Sequence, residues 1–122
     1  MIDLVGIPYK DGGLTPEEGF DCYGLVRWVL NIELGLLLPE TPPSPVVWGR
    51  YVKIFRQQPL PAFKKYDVTA FAEVIPALAN HVGVLVSPRD FLHAGAIYGG
   101  VVCENIGRWR SRVVGIGRPR AD

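Results

Sequence analysis

The chain has 122 residues, a length that fits one domain with its own hydrophobic core. It is 48% hydrophobic and 20% charged, which is typical of a globular protein, and no apolar stretch approaches the roughly 20 residues that span a bilayer. The formal net charge is +1, which gives no general attraction to nucleic acid. We therefore expect a single domain over residues 1–122 that does not insert into a membrane or bind nucleic acid.

The positive charge is concentrated near the end of the chain. Five arginines lie in the last fifteen positions: Arg108, Arg110, Arg112, Arg118 and Arg120. Such a run is most often a solvated face. The alternative is an edge that faces anions, either acidic groups of a substrate or a docking partner, and both interpretations remain open.

The first residues, Met1-Ile2-Asp3-Leu4, have neither a basic region nor an apolar run after it. This pattern predicts no secretory signal, so we expect the protein to be made in the cytoplasm without a signal peptide. Because that compartment is reducing, Cys22 and Cys103 are expected to be free thiols.

The segment before Gly19 is rich in turn-forming residues. Within it, Thr15-Pro16-Glu17-Glu18 has the form of a capping box with proline at the first helical position. We expect a short helical turn there, limited by Gly19.

An amphipathic helix is predicted to begin at Cys22. Asp21 is a suitable N-cap and Gly35 a suitable C-terminal stop, which puts the thiol in the first turn. Apolar residues recur with helical spacing on one face, which we expect to be buried: Leu25, Trp28, Val29 and Ile32.

Residues 36–62 contain six prolines around an apolar island. Ser44-Pro45 could start a second helix, although Gly49 weakens this prediction. The residues expected to face inward from it are Val47, Tyr51 and either Ile54 or Phe55.

Beyond Tyr66 the pattern changes to short β-branched and aromatic runs separated by turn residues. The predicted strands are residues 67–71, 81–87, 90–94, 101–104 and 112–116. A helix followed by an antiparallel meander predicts an α+β fold, with the helix packed on one face of the sheet.

Cys22 and the two histidines, His81 and His93, are the candidates for chemistry. Amide dipoles at a helix start favour a thiolate and are expected to lower its pKa. If a turn is centred near residue 88, His93 lies opposite Gly83 and diagonal to His81 on the same face of the sheet. Cys22 would then be the nucleophile, His81 the base and His93 the orienting group.

Other interpretations compete with this one. Free cysteines are commonly buried as small hydrophobic residues, which we accept for Cys103, and a strand histidine is more often a half-buried structural residue. Two cysteines and two histidines could also bind zinc, but the closely spaced ligand pairs of zinc sites are absent. We therefore expect no metal and no other cofactor.

Several local sequences resemble, in order, the signature of the NlpC family of papain-like cell-wall cysteine peptidases. They are Gly6-Ile7-Pro8-Tyr9, Gly12-Gly13, Gly19-Phe20-Asp21-Cys22-Tyr23-Gly24-Leu25-Val26, Asn80-His81-Val82-Gly83-Val84 and Phe91-Leu92-His93-Ala94. The resemblance implies a papain-like core with a five- to six-stranded antiparallel sheet. It also implies hydrolysis of peptidoglycan stem peptides, often next to γ-D-glutamate.

The resemblance assigns roles to individual residues. Cys22 matches the nucleophile, His81 the base and His93 the orienting residue. Tyr9 matches a tyrosine near the thiol, and Asp21 an aspartate beside the substrate's amino end. Many members have a serine after the cysteine, lining the substrate subsite, and this chain has Tyr23 there instead.

The motif Asp-Cys-Tyr-Gly-Leu-Val is similar to that of peptidases associated with bacteriophage tails. This likeness implies a protein carried by a virion or phage-like tail, with tail proteins as possible partners. Two alternatives remain open: a structural tail component that retains the peptidase fold, and a thiol amidase or acyltransferase acting on a non-wall substrate.

Overall fold

The computed structural model describes residues 2–72 and 81–120. Asn80, the first residue of the motif that contains His81, and Met1 lie outside the described residues. Among the residues described, no helix is both long enough and apolar enough to cross a membrane.

The first secondary structure after the N-terminal turns is a small hairpin, made of strand β1 (Leu14–Thr15) and strand β2 (Gly19–Phe20). The Glu18 amide donates to Thr15 Oγ1 at 3.2 Å, which is one of the two capping-box contacts, but the Glu18 carboxylate accepts from the Thr15 hydroxyl and the Leu14 amide and not from the Thr15 amide. The segment between them is a hairpin turn, so the predicted helical turn is wrong. Pairing of β1 with β2 satisfies the backbone that a helix would otherwise use.

Helix α1 spans Cys22–Leu34, and both predicted boundaries are confirmed. The Asp21 side chain accepts a hydrogen bond from the Gly24 amide at 2.7 Å, which satisfies one of the free donors of the first turn. At the other end Gly35 adopts a left-handed conformation with φ of 66°, where glycine avoids the steric cost that a side chain would bring.

A second helix, α2, occupies only Pro45–Trp48. Ser44 caps it as predicted, with its hydroxyl accepting from the Val47 amide, but the helix ends at Gly49. The apolar residues that follow form strand β3 (Val52–Phe55), so the prediction of a helix that continued to Ile54 or Phe55 is wrong. The backbone of β3 pairs with a strand more than fifty positions later, which local periodicity does not reveal.

The remaining strands lie close to their predicted positions, but only the first four of them form the predicted meander, because the last strand pairs with the first of them and with β3. They are β4 (Val68–Phe71), β5 (His81–Leu85), β6 (Asp90–Gly95), β7 (Gly100–Asn105) and β8 (Val113–Pro119). Within the described residues the sheet has six antiparallel strands in the order β3-β8-β4-β5-β6-β7. The predicted α+β fold is confirmed.

Helix α1 packs on one face of this sheet and contributes four fully buried aliphatic side chains: Leu25, Val26, Val29 and Leu30. Burying each contributes about 1.5–3 kcal/mol, so this interface fixes where the helix begins relative to β5. Ile32 was predicted to be buried but is 59% exposed. The buried stripe is centred nearer Val26 and Leu30, and at 100° per residue Ile32 points about 140° away from that centre.

The opposite face of the sheet carries a second cluster of aromatic and aliphatic side chains. It contains Phe71, Leu85, Phe91, Ile106, Trp109, Val113 and Ile116. The 3-10 segment Ile106–Arg112 covers this face, and Trp109 packs from it onto the sheet.

Candidate active site

Cys22 is the first residue of α1, and its thiol lies where the helix meets the start of β5. The backbone amide of Val82, the residue after His81, interacts with the sulfur, as do the amides of Tyr23 and of Cys22 itself. Burial raises the pKa of the Cys22 thiol, while these amides act in the opposite direction. The predicted lowering of the pKa is therefore wrong, because desolvation outweighs the amide donors at this helix start.

The two histidines are in direct contact. Nε2 of His81 lies 2.8 Å from Nδ1 of His93, within hydrogen-bonding distance. Val84 pairs with Leu92 and Leu85 with Phe91, and extending this register puts Gly83 opposite His93, where a β-carbon on Gly83 would lie 3.3 Å from His93 Cβ. The predicted diagonal placement of the histidines across a turn centred near residue 88 is confirmed.

His81 is almost entirely buried, with 7% of its surface exposed. Burial, followed by the neighbouring His93, lowers the pKa of His81 to about 4. Near neutral pH the ring is therefore uncharged and carries a lone pair on one nitrogen. Because Nε2 is directed at His93, Nδ1 is the nitrogen on the other side of the ring.

His93 is fully buried and is surrounded by aromatic rings. Phe91 stacks on it with ring centroids 4.6 Å apart, and Tyr98 and Trp109 contact it edge-on at 4.9 and 5.1 Å. Its second nitrogen, Nε2, lies 2.5 Å from Oε2 of Glu104. His93 is thus held between His81 on one side and a carboxylate on the other.

Sequence reasoning did not single out Glu104. The strand pattern did contain a signal for it, because Val102 and Glu104 are two positions apart and therefore lie on the same face of β7. The observed pairing of His93 with Val102 puts Glu104 diagonal to His93. The register of β6 with β7 was needed to use that signal.

The three residues predicted to bind substrate lie around the start of α1. Tyr9 bridges to Phe20, two positions before Cys22, and its pKa is raised by burial and then by the charges of Asp11, Asp21 and Cys22. The contact of Tyr9 with substrate stays a prediction.

Asp21 and Tyr23 make internal contacts. One carboxylate oxygen of Asp21 caps α1 and the other accepts from the Gly12 amide at 3.0 Å. Tyr23 is 5% exposed, with its hydroxyl donating to the Pro39 carbonyl and its ring edge-on to Trp48. Both residues therefore have structural roles, and their predicted contacts with substrate stay predictions.

A groove of about 830 Å³ has Val82, the residue after His81, as part of its wall. Its lining is mainly apolar and comes from α2, β3, β4 and β8, with Trp48, Ala70 and Val113 among the residues. Within residues 2–72 and 81–120, no group of three or more His, Cys, Asp or Glu side chains could hold a metal ion.

The arginine-rich end of the chain divides into different environments. Arg118 pairs with the buried Asp67, Arg120 donates to the Gly49 carbonyl, and Arg112 lies over the Trp109 ring. At least these arginines support the fold, so a uniform solvated face does not describe the whole run.

Cys22 lies at the start of a helix that packs on an antiparallel sheet, and the neighbouring strand begins with the first of two histidines in contact. This arrangement is that of a papain-like fold. The chain belongs to the NlpC/P60 family, whose model matches residues 6–118. A solved structure, the NlpC/p60 domain of the peptidoglycan hydrolase SagA, superposes with a TM-score of 0.66 at 20% identity, over 97% of this chain and 91% of that one. That likeness supports the fold.

The names of two curated relatives are consistent with membership of this family. The gamma-DL-glutamyl hydrolase of Bacillus subtilis is 32% identical over 117 residues, covering 93% of this chain and 26% of that protein. The bifunctional muramidase/DL-endopeptidase CwlT of the same species is 31% identical over 116 residues, covering 93% of this chain and 32% of that protein. The chain thus spans about a quarter to a third of the length of these relatives.

Proposed function

We propose that this chain is a cysteine peptidase that hydrolyses amide bonds in the stem peptides of peptidoglycan. The proposal rests on one observation: the Cys22 thiol, at the start of α1, interacts with the backbone of β5. The first residue of that strand, His81, is hydrogen-bonded to His93. Relatives named as a gamma-DL-glutamyl hydrolase and a DL-endopeptidase support the wall peptide as substrate.

In the proposed mechanism the site starts uncharged. The pKa of Cys22 is raised and that of His81 is lowered, so the thiol keeps its proton until a substrate carbonyl is in position. His81 Nδ1 then takes the thiol proton while the sulfur attacks the carbonyl carbon and forms the C–S bond. The backbone amide of Cys22 is the donor best placed to meet the resulting oxyanion, because it lies in the first turn of the helix.

Collapse of the tetrahedral intermediate breaks the C–N bond, and His81 gives its proton to the departing amine. Water, activated by the same imidazole, then hydrolyses the thioester and restores the thiol. In this scheme His93 orients His81 through the 2.8 Å contact and does not touch the substrate.

The two cysteines allow a matched test. We expect Cys22→Ala to abolish release of stem-peptide fragments from purified peptidoglycan, measured by mass spectrometry of the soluble products. Cys103→Ala, which removes the other thiol on β7, is expected to retain activity. If neither the wild-type protein nor Cys103→Ala releases fragments, while Cys22 still reacts with iodoacetamide, a non-wall amidase or acyltransferase is favoured.

The finer proposal is cleavage at the bond that follows γ-D-glutamate. The name of one relative, the gamma-DL-glutamyl hydrolase of Bacillus subtilis, supports it. We expect a synthetic stem peptide with the γ-linkage to be cut and its α-linked isomer to be left intact. Equal cleavage of both isomers would contradict this specificity.

We also propose that the protein acts as a component of a virion or phage-like tail. Support comes from the similarity of its Asp-Cys-Tyr-Gly-Leu-Val motif to tail-associated peptidases. Mass spectrometry of purified particles, before and after they are stripped with high salt, tests it. Absence of the chain from intact particles would contradict carriage and leave the peptidase proposal standing.

A further inference from the structure

Glu104 is the charged group at the far end of the histidine pair, and the proposed mechanism gives it no role. We propose that Glu104 is a positioning residue that fixes which ring nitrogens of His93 and His81 carry hydrogen, so that His81 presents a lone pair on Nδ1 to the thiol. This inference rests on the proposed function for its catalytic consequence. Its structural part stands on the contacts alone.

The argument begins at the carboxylate. An ionised Glu104 can only accept hydrogen bonds, so the His93 nitrogen that contacts it, Nε2, must carry the hydrogen. His93 is fully buried among Phe91, Tyr98 and Trp109, where a charged ring costs more than a neutral one. A neutral ring with hydrogen on Nε2 has its lone pair on Nδ1.

The next step passes this constraint to His81. Nδ1 of His93 is then an acceptor, so the 2.8 Å contact requires that Nε2 of His81 supplies the hydrogen. His81 is itself neutral, since burial lowers its pKa. Its remaining nitrogen, Nδ1, therefore holds a lone pair that can take a proton.

Loss of the carboxylate would remove this ordering. His93 could then carry its hydrogen on Nδ1 and donate to Nε2 of His81, which would leave the His81 hydrogen on Nδ1. A ring in that state cannot accept the thiol proton. Glu104 would thus act on the base through His93, without touching the substrate.

The chain has only two histidines, so a sample labelled with ¹⁵N-histidine has four side-chain nitrogen signals. In the wild-type protein near neutral pH we expect both rings to be neutral, with hydrogen on Nε2 and none on Nδ1. Hydrogen on Nδ1 of His81, or a doubly protonated His93, would overturn the proposal. This measurement requires no variant and no substrate.

Glu104→Gln keeps the shape of the side chain but can donate as well as accept. We expect its histidine signals to move towards a mixture of the two tautomers, whereas Glu40→Gln, at an exposed glutamate, leaves them unchanged. Wild-type signals in a folded Glu104→Gln protein would overturn the proposal.

The kinetic test uses the same two variants in a Cys103→Ala background. We expect Glu104→Gln to lower kcat on the stem peptide by about 10- to 100-fold with KM unchanged, the loss typical when the hydrogen-bond partner of a metal-bound imidazole is removed. The rate of Cys22 alkylation by iodoacetamide should fall in parallel, and this readout does not depend on the identity of the substrate. If the tautomers are as expected but no wall peptide is cut, the proposed function fails while the role of Glu104 stands.

Discussion

Two buried polar clusters in this molecule differ in how their charged groups are bound. In one, Asp67 is fully buried and binds the Arg118 guanidinium through two contacts of 2.9 Å, while the Lys64 amide donates to it at 2.8 Å. In the other, His81 and His93 share a single hydrogen bond, and the carboxylate of Glu104 lies at the far end. The first cluster joins opposite charges directly, and the second is a series of hydrogen bonds.

The difference teaches what each cluster is suited to do. Arg118 and Asp67 are joined by two charge-assisted hydrogen bonds, and the contact raises the pKa of Arg118, so the guanidinium keeps its proton. The two imidazoles are joined by a hydrogen bond, and an imidazole in its neutral form can both accept and donate a proton. The pair between β4 and β8 stabilises the sheet, whereas the histidine series is arranged to move a proton.

The largest expected effect is on stability, at the ion pair. Asp67→Asn leaves the Arg118 guanidinium without its charge partner at the junction of β4 and β8, so we expect a loss of about 3 kcal/mol in the free energy of unfolding. Urea denaturation measures this loss. The alkylation rate of Cys22 in the folded variant should match that of the wild-type protein.

Glu17→Gln is the matched control, because it removes a carboxylate that is exposed. Its free energy of unfolding should stay at the wild-type value. A stable Asp67→Asn protein would mean that the pair does not hold these strands together, and slower alkylation in that variant would mean that the two clusters are coupled.

The next effect concerns pH. Burial and His93 hold the pKa of folded His81 at about 4, whereas an unfolded histidine titrates near 6.5. Between these values the unfolded chain binds a proton that the folded chain does not, so the free energy of unfolding falls as the pH falls. The loss approaches about 1.4 kcal/mol per pH unit and comes to about 2 kcal/mol from pH 6.5 to 4.5, with little contribution from His81 above that window.

Urea denaturation at the two pH values measures the change. His81→Asn lacks the titrating ring, so its loss over the same window should be smaller by about the same amount. Equal losses in the two proteins would show that His81 is not kept neutral. The base form of His81 should also persist in acid, which puts the acid limb of the pH–rate profile well below the usual histidine range.

The helix and the histidine strands were predictable because their signals are local. Asp21 and Gly35 supply capping chemistry that depends on neighbouring residues, and the structure uses both. The turn near residue 88 fixes the register of β5 with β6, and that register brings His81 and His93 together.

The features that were missed depend on contacts distant in the sequence. The apolar run after Gly49 became β3 because β8 offers it a partner, and periodicity over ten residues cannot separate that from a helix. Glu104 contacts His93 through the pairing of β6 with β7, and the raised pKa of Cys22 reflects burial by the assembled fold.

The smallest effect tests how tightly the histidine series is packed. Gly83 lies opposite His93, and a β-carbon there would be 2.9 Å from the Leu92 carbonyl oxygen, which is backbone, and 3.3 Å from His93 Cβ. Gly83→Ala should therefore destabilise the protein by about 1–3 kcal/mol and displace β6, which separates the two imidazoles. Gly115→Ala on β8 is the control, since its nearest neighbour would be 3.4 Å away. If Gly83→Ala keeps the wild-type ¹⁵N signals of both histidines, the hydrogen bond between His81 and His93 does not depend on the spacing of β5 and β6. The proposed difference between this hydrogen-bonded series and the Arg118–Asp67 ion pair would then be smaller than we expect.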